Sequence, residues 1–512
     1  MLALLAAVQA APAAASSTQE AIFQDDGLLS QNPAGAMATL RSLGVTRVRV
    51  AVAWSRIAPQ PTAKQAPKGF NAGSPSAYPA ANWSFFDQVV ENAHANGISL
   101  DFLLTAPVPR WAEGRDKPAG DPFGAWKPSA ADYGAFVKAI GTRYSGSYEP
   151  KGSSGPLPAV NFWGIWNEPN YGPDLAPQTA SSGRVQLAAA SYRGLLGHAW
   201  SALRASGHKR DTIVFGETAP HGYVSGGNFS GTAPLEFVRG LYCVNSHNQQ
   251  LRGTLASQNG CPTTAAGSRR FRSQNPALFS SSAFAAHPYA EATPPNRSLL
   301  AKGQDHADVA DLGAAGKLER TLDRLNRVYG SHKQFPVYST EYGYQTNPPE
   351  HSQQGINPLT AAYYLNWAEY LSYKQSRIRS YAQYLLLDPP GGNFASGLEF
   401  SSGQPKPGLA AYRMPLYMPK TSVKHPTSLE VWGGVRPAHI AKLDTGQAQT
   451  ARIQFQANSS GAFTTLKTVA ITNLRGYFDV HQTFSHSGTV RVAWTDQSGQ
   501  TDLSRSVTIK VG

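Results

Sequence analysis

The chain has 512 residues, of which 41% are hydrophobic and 15% charged, with 48 glycines and 37 prolines. This composition excludes extended disorder, and the length allows a large buried core and more than one domain. The formal net charge is +13. Because the basic residues are scattered and accompany no nucleic-acid-binding motif, we interpret them as a soluble basic surface that tolerates anionic cell-wall polymers.

Residues 1–18 are predicted to be the remainder of a secretory signal peptide. The stretch "MLALLAAVQAAPAAASS" is an apolar run that ends in small residues of the A-x-A type, although the usual positive n-region is missing. No later run has the ~18 apolar residues of a membrane span. We therefore expect a secreted or cell-surface protein that is not inserted in a membrane.

From residue 19 to residue 420, helical and strand patterns alternate. The predicted strands are, in order, "QEAIFQ", "VTRVRVAVAW", "ISLDFLLTAP", "VNFWGIWNEPN", "TIVFGETAP", "SSAFAAHPYA", "FPVYSTEYGYQT" and "IRSYAQYLLLD". Helical patterns lie between them: in "WSFFDQVVENAHANG", Phe86, Val89 and Ala93 share one face and Gly97 ends the helix. Eight strands separated by helices predict an α/β fold, a (β/α)8 TIM barrel with inserted loops.

The two cysteines, Cys243 and Cys261, lie close together in the sequence. In an exported chain this spacing favours one disulfide that closes a loop, the alternative being two unpaired buried thiols. Neither cysteine has the spacing of a zinc site.

The pattern changes after residue 420. Residues 421–512 contain short alternating runs such as "LEVWGGV", "ARIQFQA" and "TVRVAWT", separated by Gly, Ser and Asn turns. These runs predict a small C-terminal antiparallel β-sandwich. It contains no obvious catalytic constellation, so we expect an accessory role in packing or spacing.

Two glutamates end predicted barrel strands. Asn167 and Glu168 follow the fourth strand, and Glu341 ends the seventh. The reactive groups of such barrels lie at the carboxyl ends of the strands. Cleavage of a glycosidic bond needs two carboxyl groups, one to protonate the leaving oxygen and one to attack the anomeric carbon, and a separation of ~5 to 5.5 Å is typical of retention.

"WNEPN" on strand four and "STEYGY" on strand seven resemble the motifs of the clan A glycoside hydrolases, and of family 39 and its neighbours in particular. The resemblance covers about Gln19 to Pro419. It implies a retaining enzyme with Glu168 as acid/base and Glu341 as nucleophile. It also implies that Asn167 hydrogen-bonds the 2-hydroxyl of the sugar.

Further positions fit the same resemblance. Arg49 on the second strand matches an arginine that lies near the nucleophile, and His287 and Tyr289 of "HPY" match residues around it. Trp54 and Trp111 are candidates for stacking on a sugar ring, although most tryptophans are core residues. On strand eight, where the family usually has a tryptophan beneath the sugar, "YAQYLLL" offers only Gln383 or Tyr384.

Other interpretations of these residues remain open. Arg49 could be a structural ion-pair partner, and His287 could be a hydrogen-bonded core histidine. Glu217, at the end of strand five, could contact substrate or close a turn, and we leave it out of the catalytic set. In "GQDHAD", a polar surface loop is favoured over a metal site formed by Asp305, His306 and Asp308.

We therefore predict a monomeric, exported, retaining O-glycosidase that acts by double displacement on a plant or microbial oligosaccharide or polysaccharide. No cofactor, metal or nucleic acid is expected. The alternative is a non-catalytic carbohydrate-binding protein of a cell wall or matrix. Xylosidases, iduronidases, arabinofuranosidases and endoglycosidases occur among the proteins it resembles, and the sequence does not separate them.

Overall fold

The computed structural model describes residues 16, 18–119, 124–180, 183–222, 230–298, 306–349, 354–458 and 460–512. The predicted signal peptide, residues 1–18, thus lies almost wholly outside the described residues. Within the described ranges, no helix has the length and apolar character needed to cross a membrane.

Eight parallel strands form one sheet. They are β1 (Glu20–Gln24), β2 (Arg47–Ala53), β3 (Ser99–Thr105), β4 (Phe162–Ile165), β5 (Thr212–Thr218), β6 (Ala283–Ala286), β7 (Val337–Ser339) and β8 (Ser380–Tyr384). The strands follow each other in chain order, with β8 beside β1. A parallel bridge between Val337 and Ile378 joins β7 to the residues before β8, so the barrel is nearly closed. The predicted fold class and its eight strands are confirmed.

Helices surround this sheet. They are α1 (Asp26–Gln31), α2 (Pro33–Ser42), α3 (Trp54–Ile57), α4 (Ala80–Ala95), α5 (Ala130–Arg143), α6 (Leu187–Ala205), α7 (Pro234–Leu241), α8 (Gly253–Gln258), α9 (Ala265–Gln274), α10 (Pro276–Ser280), α11 (Ala315–Val328), α12 (Pro358–Tyr373) and α13 (Pro407–Arg413). As predicted, α4 buries Phe86, Val89 and Ala93. It ends just before Gly97, whose φ of +64° suits glycine.

The centre of the barrel is polar. Pairing between β2 and β3 sets Arg49 beside Asp101, and both side chains are fully buried. Glu217 on β5 and His287 after β6 are equally buried. Charged residues are seldom fully buried unless they are paired. We therefore expect the functional site to lie next to these four buried side chains.

Cys243 and Cys261 form a disulfide, with their Cα atoms 5.6 Å apart. The predicted pairing is confirmed, and the alternative of two free thiols is wrong. The guanidinium of Arg193 on α6 donates to carbonyl oxygens beside both cysteines, including those of Leu241 (3.2 Å) and Gly260 (2.8 Å). The closed loop is therefore fixed to the outside of the barrel by hydrogen bonds as well as by the disulfide.

The C-terminal part forms two packed sheets. Its elements are β9 (Leu416–Tyr417), β10 (Ser422–Val423), β11 (Thr427–Gly434), α14 (Ala438–Thr445), β12 (Gln449–Ala457), β13 (Thr464–Ile471), β14 (Tyr477–Phe484), β15 (Gly488–Thr495), β16 (Thr501–Leu503) and β17 (Val507–Val511). One sheet has the order β9-β11-β14 and the other β10-β17-β15-β12-β13, with β16 beside β15. The predicted β domain is confirmed. Two features depart from an all-antiparallel sandwich: β10 pairs with β17 in parallel, and α14 is inserted.

The sandwich packs against the barrel helix α12. Glu369 on α12 is buried and accepts hydrogen bonds from Arg436 (2.7 Å) and from the Tyr477 hydroxyl (2.6 Å), both of the sandwich. Tyr373 packs beside Trp432 and Tyr477 in the same interface. The contact thus combines a buried ion pair with aromatic packing, which indicates a fixed junction between barrel and sandwich.

Candidate active site

The carboxyl ends of β4 and β5 carry unusual backbone geometry. Trp166, Glu168 and Glu217 have φ values of +66°, +35° and +47°. Non-glycine residues seldom adopt positive φ, and such strain is concentrated at functional sites. The backbone N–H of Glu168 donates to the carbonyl oxygen of Glu217 at 2.9 Å. The two strand ends are therefore held to each other where Glu168 enters the barrel mouth.

Arg49 lies at the centre of the site. Its guanidinium donates to Glu341 (2.5 Å), to Asn167 (3.2 Å) and to Glu217 (3.2 Å), and also to the amide oxygen of Gln24. The sequence left open whether Arg49 serves structure or substrate. Its contacts fit both roles. Arg49 pairs with the buried Glu217, as a structural residue would, and it also pairs with Glu341, the candidate nucleophile.

Glu341 is held from two sides. Arg49 donates to Oε1, and the Tyr289 hydroxyl donates to Oε2 at 3.0 Å. Burial alone would raise the pKa of Glu341, but the positive charges of His287 and Arg49 hold it below its usual value. Glu341 is therefore a carboxylate at neutral pH, with its oxygens fixed at the bottom of the mouth.

His287 bridges the candidate acid/base and the buried Glu217. Its Nδ1 lies 2.8 Å from Glu168 Oε1, and its Nε2 lies 3.1 Å from Glu217 Oε2. Burial alone would lower the pKa of this ring, but the surrounding carboxylates, Glu341 first among them, raise it to about 10. The ring is thus an imidazolium that donates from both nitrogens. Nε2 of His287 also lies 3.2 Å from Nη2 of Arg49. Because both groups are donors, this is not a hydrogen bond between them; each donates to Glu217 instead.

Glu168, His287 and Glu341 have the residue types of a metal site, and one candidate ligand atom from each lies within 4.8 Å of the others. A metal ligand must offer a free lone pair, so an imidazole can bind a metal only when it is not protonated. The raised pKa of His287 favours its protonated form, and its two nitrogens contact Glu168 at 2.8 Å and Glu217 at 3.1 Å, so the cluster has the contacts of a hydrogen-bonded acid–base pair.

Asn167 is oriented by partners on both ends of its amide. The oxygen accepts from Arg49, and Nδ2 donates to Asp174 Oδ2 at 3.1 Å. Burial, with the charge of Glu168 adding to it, raises the pKa of Asp174 well above its usual value. The sequence did not single out Asp174, because it lies in the loop after β4, where position carries no periodic signal. Among the described residues, Nδ2 of Asn167 has no second hydrogen-bond partner.

A cavity of about 710 Å³ opens above Glu168 and Glu341. Asp26, directly after β1, lines it and accepts hydrogen bonds from the Ala51 backbone (2.9 Å) and from Gln24 (2.7 Å). Burial raises the pKa of Asp26. The sequence analysis missed Asp26, although its place at the end of a barrel strand is the signal that identified the two glutamates.

The opposite wall carries a second ion pair. His221 Nε2 lies 2.6 Å from Glu291 Oε1, and both residues line the cavity. Burial alone would lower the pKa of His221, but the hydrogen bond with Glu291 raises it. This pair follows β5 and β6, on the same side of the cavity as Glu168.

The predicted tryptophans lie elsewhere. Trp54 is fully buried and stacks on Phe136. Trp111 is half-buried, packs edge-on to Trp54, donates to the Pro59 carbonyl oxygen, and does not line the cavity. Neither can stack on a sugar there. Trp54 begins the short helix α3, and Trp111 lies in a single helical turn at residues 110–112, so neither ring is placed by a barrel strand.

Strand β8 supplies tyrosine where a tryptophan was expected. Gln383 is buried, and its amide donates to backbone carbonyls, among them that of Ser396 (2.9 Å). Tyr384 lines the cavity, and Phe394, 39% exposed, packs edge-on against it at 5.5 Å. Tyr384 and Phe394 therefore form the aromatic wall of the cavity. Phe394 lies in the loop after β8, which periodicity cannot place.

The segment "GQDHAD" offers no second site among the described residues. Asp308 is engaged by the guanidinium of Arg239, with 2.8 Å between Nη1 and Oδ1. Asp305 and the side chain of His306 lie outside the described part of the chain. The interpretation of this segment as an ordinary loop stays a prediction.

No protein-family model matches the chain, and no curated protein matches its sequence. Among solved structures it is similar to the GH39 enzyme from Xanthomonas axonopodis pv. citri, with a TM-score of 0.48 and 13% identity over 92% of this chain and 93% of that one. A monomeric beta-xylosidase from Caulobacter crescentus gives 0.48 and 13% over 92% and 96%.

A family 39 glycoside hydrolase from the gut symbiont Bacteroides cellulosilyticus gives a TM-score of 0.46 and 14% identity over 91% of this chain and 81% of that one. Values this low describe similarity of overall structure alone, and what the site can do is inferred below from its own residues. By overall structure, the neighbours of this chain are family 39 and other clan A glycoside hydrolases, the group that its strand-end motifs resemble.

Proposed function

We propose that the protein is a retaining glycoside hydrolase with Glu341 as nucleophile and Glu168 as acid/base. The observation that carries the proposal is the distance between the two carboxyl groups, which bring oxygens within 4.8 Å of each other. Retaining enzymes hold the pair about 5 to 5.5 Å apart, whereas inverting enzymes leave roughly 6.5 to 9.5 Å for a water molecule.

The roles follow from the electrostatics. Glu341 is ionised and is fixed by Arg49 and Tyr289, so it can attack the anomeric carbon as the glycosidic bond breaks. Glu168 accepts from His287 on Oε1 and, within the described residues, has no protein partner on Oε2. That second oxygen can give its proton to the departing oxygen and later take one from water, which then displaces Glu341 and releases the sugar with its configuration retained.

The charges of the cavity support a sugar without a carboxylate. Asp26, Glu291 and the two catalytic glutamates all line it. The cations Arg49, His287 and His221 each already contact a carboxylate. A uronic acid would meet repulsion, whereas neutral sugars and amino sugars would meet hydrogen-bond acceptors. Matched aryl glycosides, such as a glucoside and a glucuronide, test this: the neutral member should react at least 10-fold faster.

The experiment that tests the mechanism is proton NMR of the first product formed from a reactive aryl glycoside. Two displacements at the anomeric carbon predict that this product keeps the configuration of the substrate. An inverted anomer would refute the assignment of Glu341. Failure of a broad panel of aryl glycosides and polysaccharides to react would favour a protein that binds carbohydrate without cleaving it.

We also propose that the protein acts outside the cytoplasm. The disulfide between Cys243 and Cys261 supports this, because such bonds persist in oxidising compartments. The N-terminal sequence pattern agrees with it. Detection of the mature protein in culture medium or on the cell surface, with its disulfide formed, is the measurement that decides this.

A further inference from the structure

Glu217 is a fully buried acidic side chain that the proposed mechanism does not use. It is 0% exposed, and a single oxygen, Oε2, accepts from Arg49 (3.2 Å), His287 (3.1 Å) and Thr340 (2.5 Å). Burial alone would raise the pKa of Glu217, but the charges of Arg49 and His287 hold it below its usual value. It is thus a buried carboxylate shared by donors from three strand ends.

Two separate paths connect Glu217 to Glu168. Along the backbone, the Glu168 N–H donates to the Glu217 carbonyl oxygen at 2.9 Å. Through side chains, Glu217 holds Nε2 of His287, and Nδ1 of the same ring contacts Glu168 Oε1. One residue therefore fixes both the position of the Glu168 main chain and the direction of its carboxyl group.

The charge of Glu217 is needed for this arrangement. The cationic groups of Arg49 and His287 approach within 3.2 Å, and Glu217 Oε2 lies between their donors. Two cations this close and fully buried are unstable without a carboxylate to neutralise them. Glu341 and Glu168 also raise the pKa of His287, so loss of the Glu217 charge is expected to lower that pKa and to weaken the charge-assisted bond that orients Glu168.

We propose that Glu217 is a positioning residue for the acid/base: it holds His287 as an imidazolium, and His287 in turn aims Glu168 at the leaving oxygen. The proposal rests on the proposed function, and it assigns a role to a buried acidic residue that does not line the cavity. Other titratable groups around Glu217 among the described residues include Asp101 on β3 and Tyr192 on α6, which interact with it electrostatically, and Glu341 after β7, which shares Arg49 and His287 with it.

The test compares two substrates that differ only in their need for a proton. Departure of dinitrophenol needs little protonation, whereas departure of phenol depends on the general acid, whose contribution is typically about 100- to 10,000-fold. For Glu217→Gln we expect kcat/KM to fall at least ~10-fold more on the phenyl glycoside than on the dinitrophenyl glycoside. Glu217→Asp, which keeps the charge, should recover part of this difference.

One further variant keeps the test decisive if Glu217→Gln folds poorly. Thr340→Val removes one hydrogen bond to Glu217 and no charge, and it should show a smaller loss with the same preference for the phenyl substrate. In a double-mutant cycle, adding Glu217→Gln to His287→Gln should change the substrate preference by less than about 3-fold, because the effect passes through His287.

Equal losses on both substrates, or independent effects of Glu217 and His287, would overturn the positioning role and leave Glu217 as a structural residue. Inactivity of the unaltered protein on both substrates would instead refute the proposed function. The two failures are therefore distinguishable before any variant is compared.

Discussion

Glu168 and Glu341 both approach the same nitrogen of one ring, with His287 Nδ1 at 2.8 Å from Glu168 Oε1 and 3.6 Å from Glu341 Oε2. A cation placed there acts on both groups, because it stabilises the negative charge of Glu341 and orients Glu168 through a hydrogen bond. The short separation between the two glutamates is thus supported by a positive charge that is fully buried beneath them.

Replacing Glu341 and replacing Glu168 should affect hydrolysis in different ways. Glu341→Ala should abolish hydrolysis of every glycoside, because no glycosyl-enzyme can form. Glu168→Ala should still form the glycosyl-enzyme rapidly from a dinitrophenyl glycoside. Hydrolysis of that intermediate should then be slow, because no base activates the water molecule. Added azide needs no base, so it should restore turnover and give a glycosyl azide of retained configuration. Product analysis by NMR and single-turnover kinetics measure both steps. Loss of both activities without azide rescue would contradict the assignment.

Gly164, on β4, is predicted to tolerate no side chain. A Cβ there would lie 2.7 Å from Glu217 Oε1 and 3.1 Å from Leu103 Cδ1, and both neighbours are fixed in the barrel interior. Gly164→Ala should lower the free energy of unfolding by about 1–3 kcal/mol and should reduce activity by displacing Glu217. Gly155→Ala, where nothing lies within 4 Å, is the control and should change neither quantity. Full activity of Gly164→Ala would show that the site tolerates this displacement.

The free energy of unfolding should fall as the pH rises from 6.5 to about 10. Over this range native His287 holds its proton, because its pKa is raised to about 10, while the unfolded chain releases it near 6.5. The stabilisation is therefore complete below pH 6.5 and is lost as pH passes 10. Asp101 acts in the same direction at lower pH, since burial and then Glu217 raise its pKa to about 7.

Urea unfolding at a series of pH values measures this slope. His287→Gln should flatten it above pH 6.5, and Asp101→Asn should flatten it between about 4 and 7. An unchanged slope in His287→Gln would mean that the ring is neutral in the folded protein.

Among the ion pairs at the junction between barrel and sandwich, two differ clearly in burial. Glu369→Gln leaves Arg436 buried without a counter-ion, and we expect a loss of about 3–5 kcal/mol in the free energy of unfolding. Arg41 and Asp444 join the same two parts of the chain, but their side chains are 29% and 36% exposed. Asp444→Asn is therefore the matched control and should cost less than ~1 kcal/mol. Similar losses in both variants would argue against a role for burial.

The sequence predicted those parts of the site that lie on regular strands. Glu168, Glu341, Arg49 and His287 could be found because barrel topology brings strand ends together, and the structure places all four in one network. The alternation of side chains along a strand predicts which residues point into the barrel, but it does not apply to residues that follow the strand. Trp54 begins a short helix and turns into the core for that reason.

Residues whose role depends on tertiary contacts were harder to predict from the sequence. Glu217 was left out because a glutamate at a strand end looks the same whether it closes a turn or neutralises two buried cations. Only the pairing of Arg49 with His287 around it separates the two cases. Asp174 and Phe394 lie in loops, whose paths depend on tertiary contacts and not on local periodicity.

The way the sandwich is attached has a mechanical consequence for the barrel. The sheet closes between β7 and β8 through a bridge between Val337 and Ile378, so this seam is its weakest join. Glu369, which the sandwich holds, lies on the helix between those two strands. The sandwich also reaches β1 on the other side of β8, through Arg475 and Glu20. It therefore links the two sides of the seam, and we expect it to resist any separation of Glu341, after β7, from Tyr384 at the end of β8.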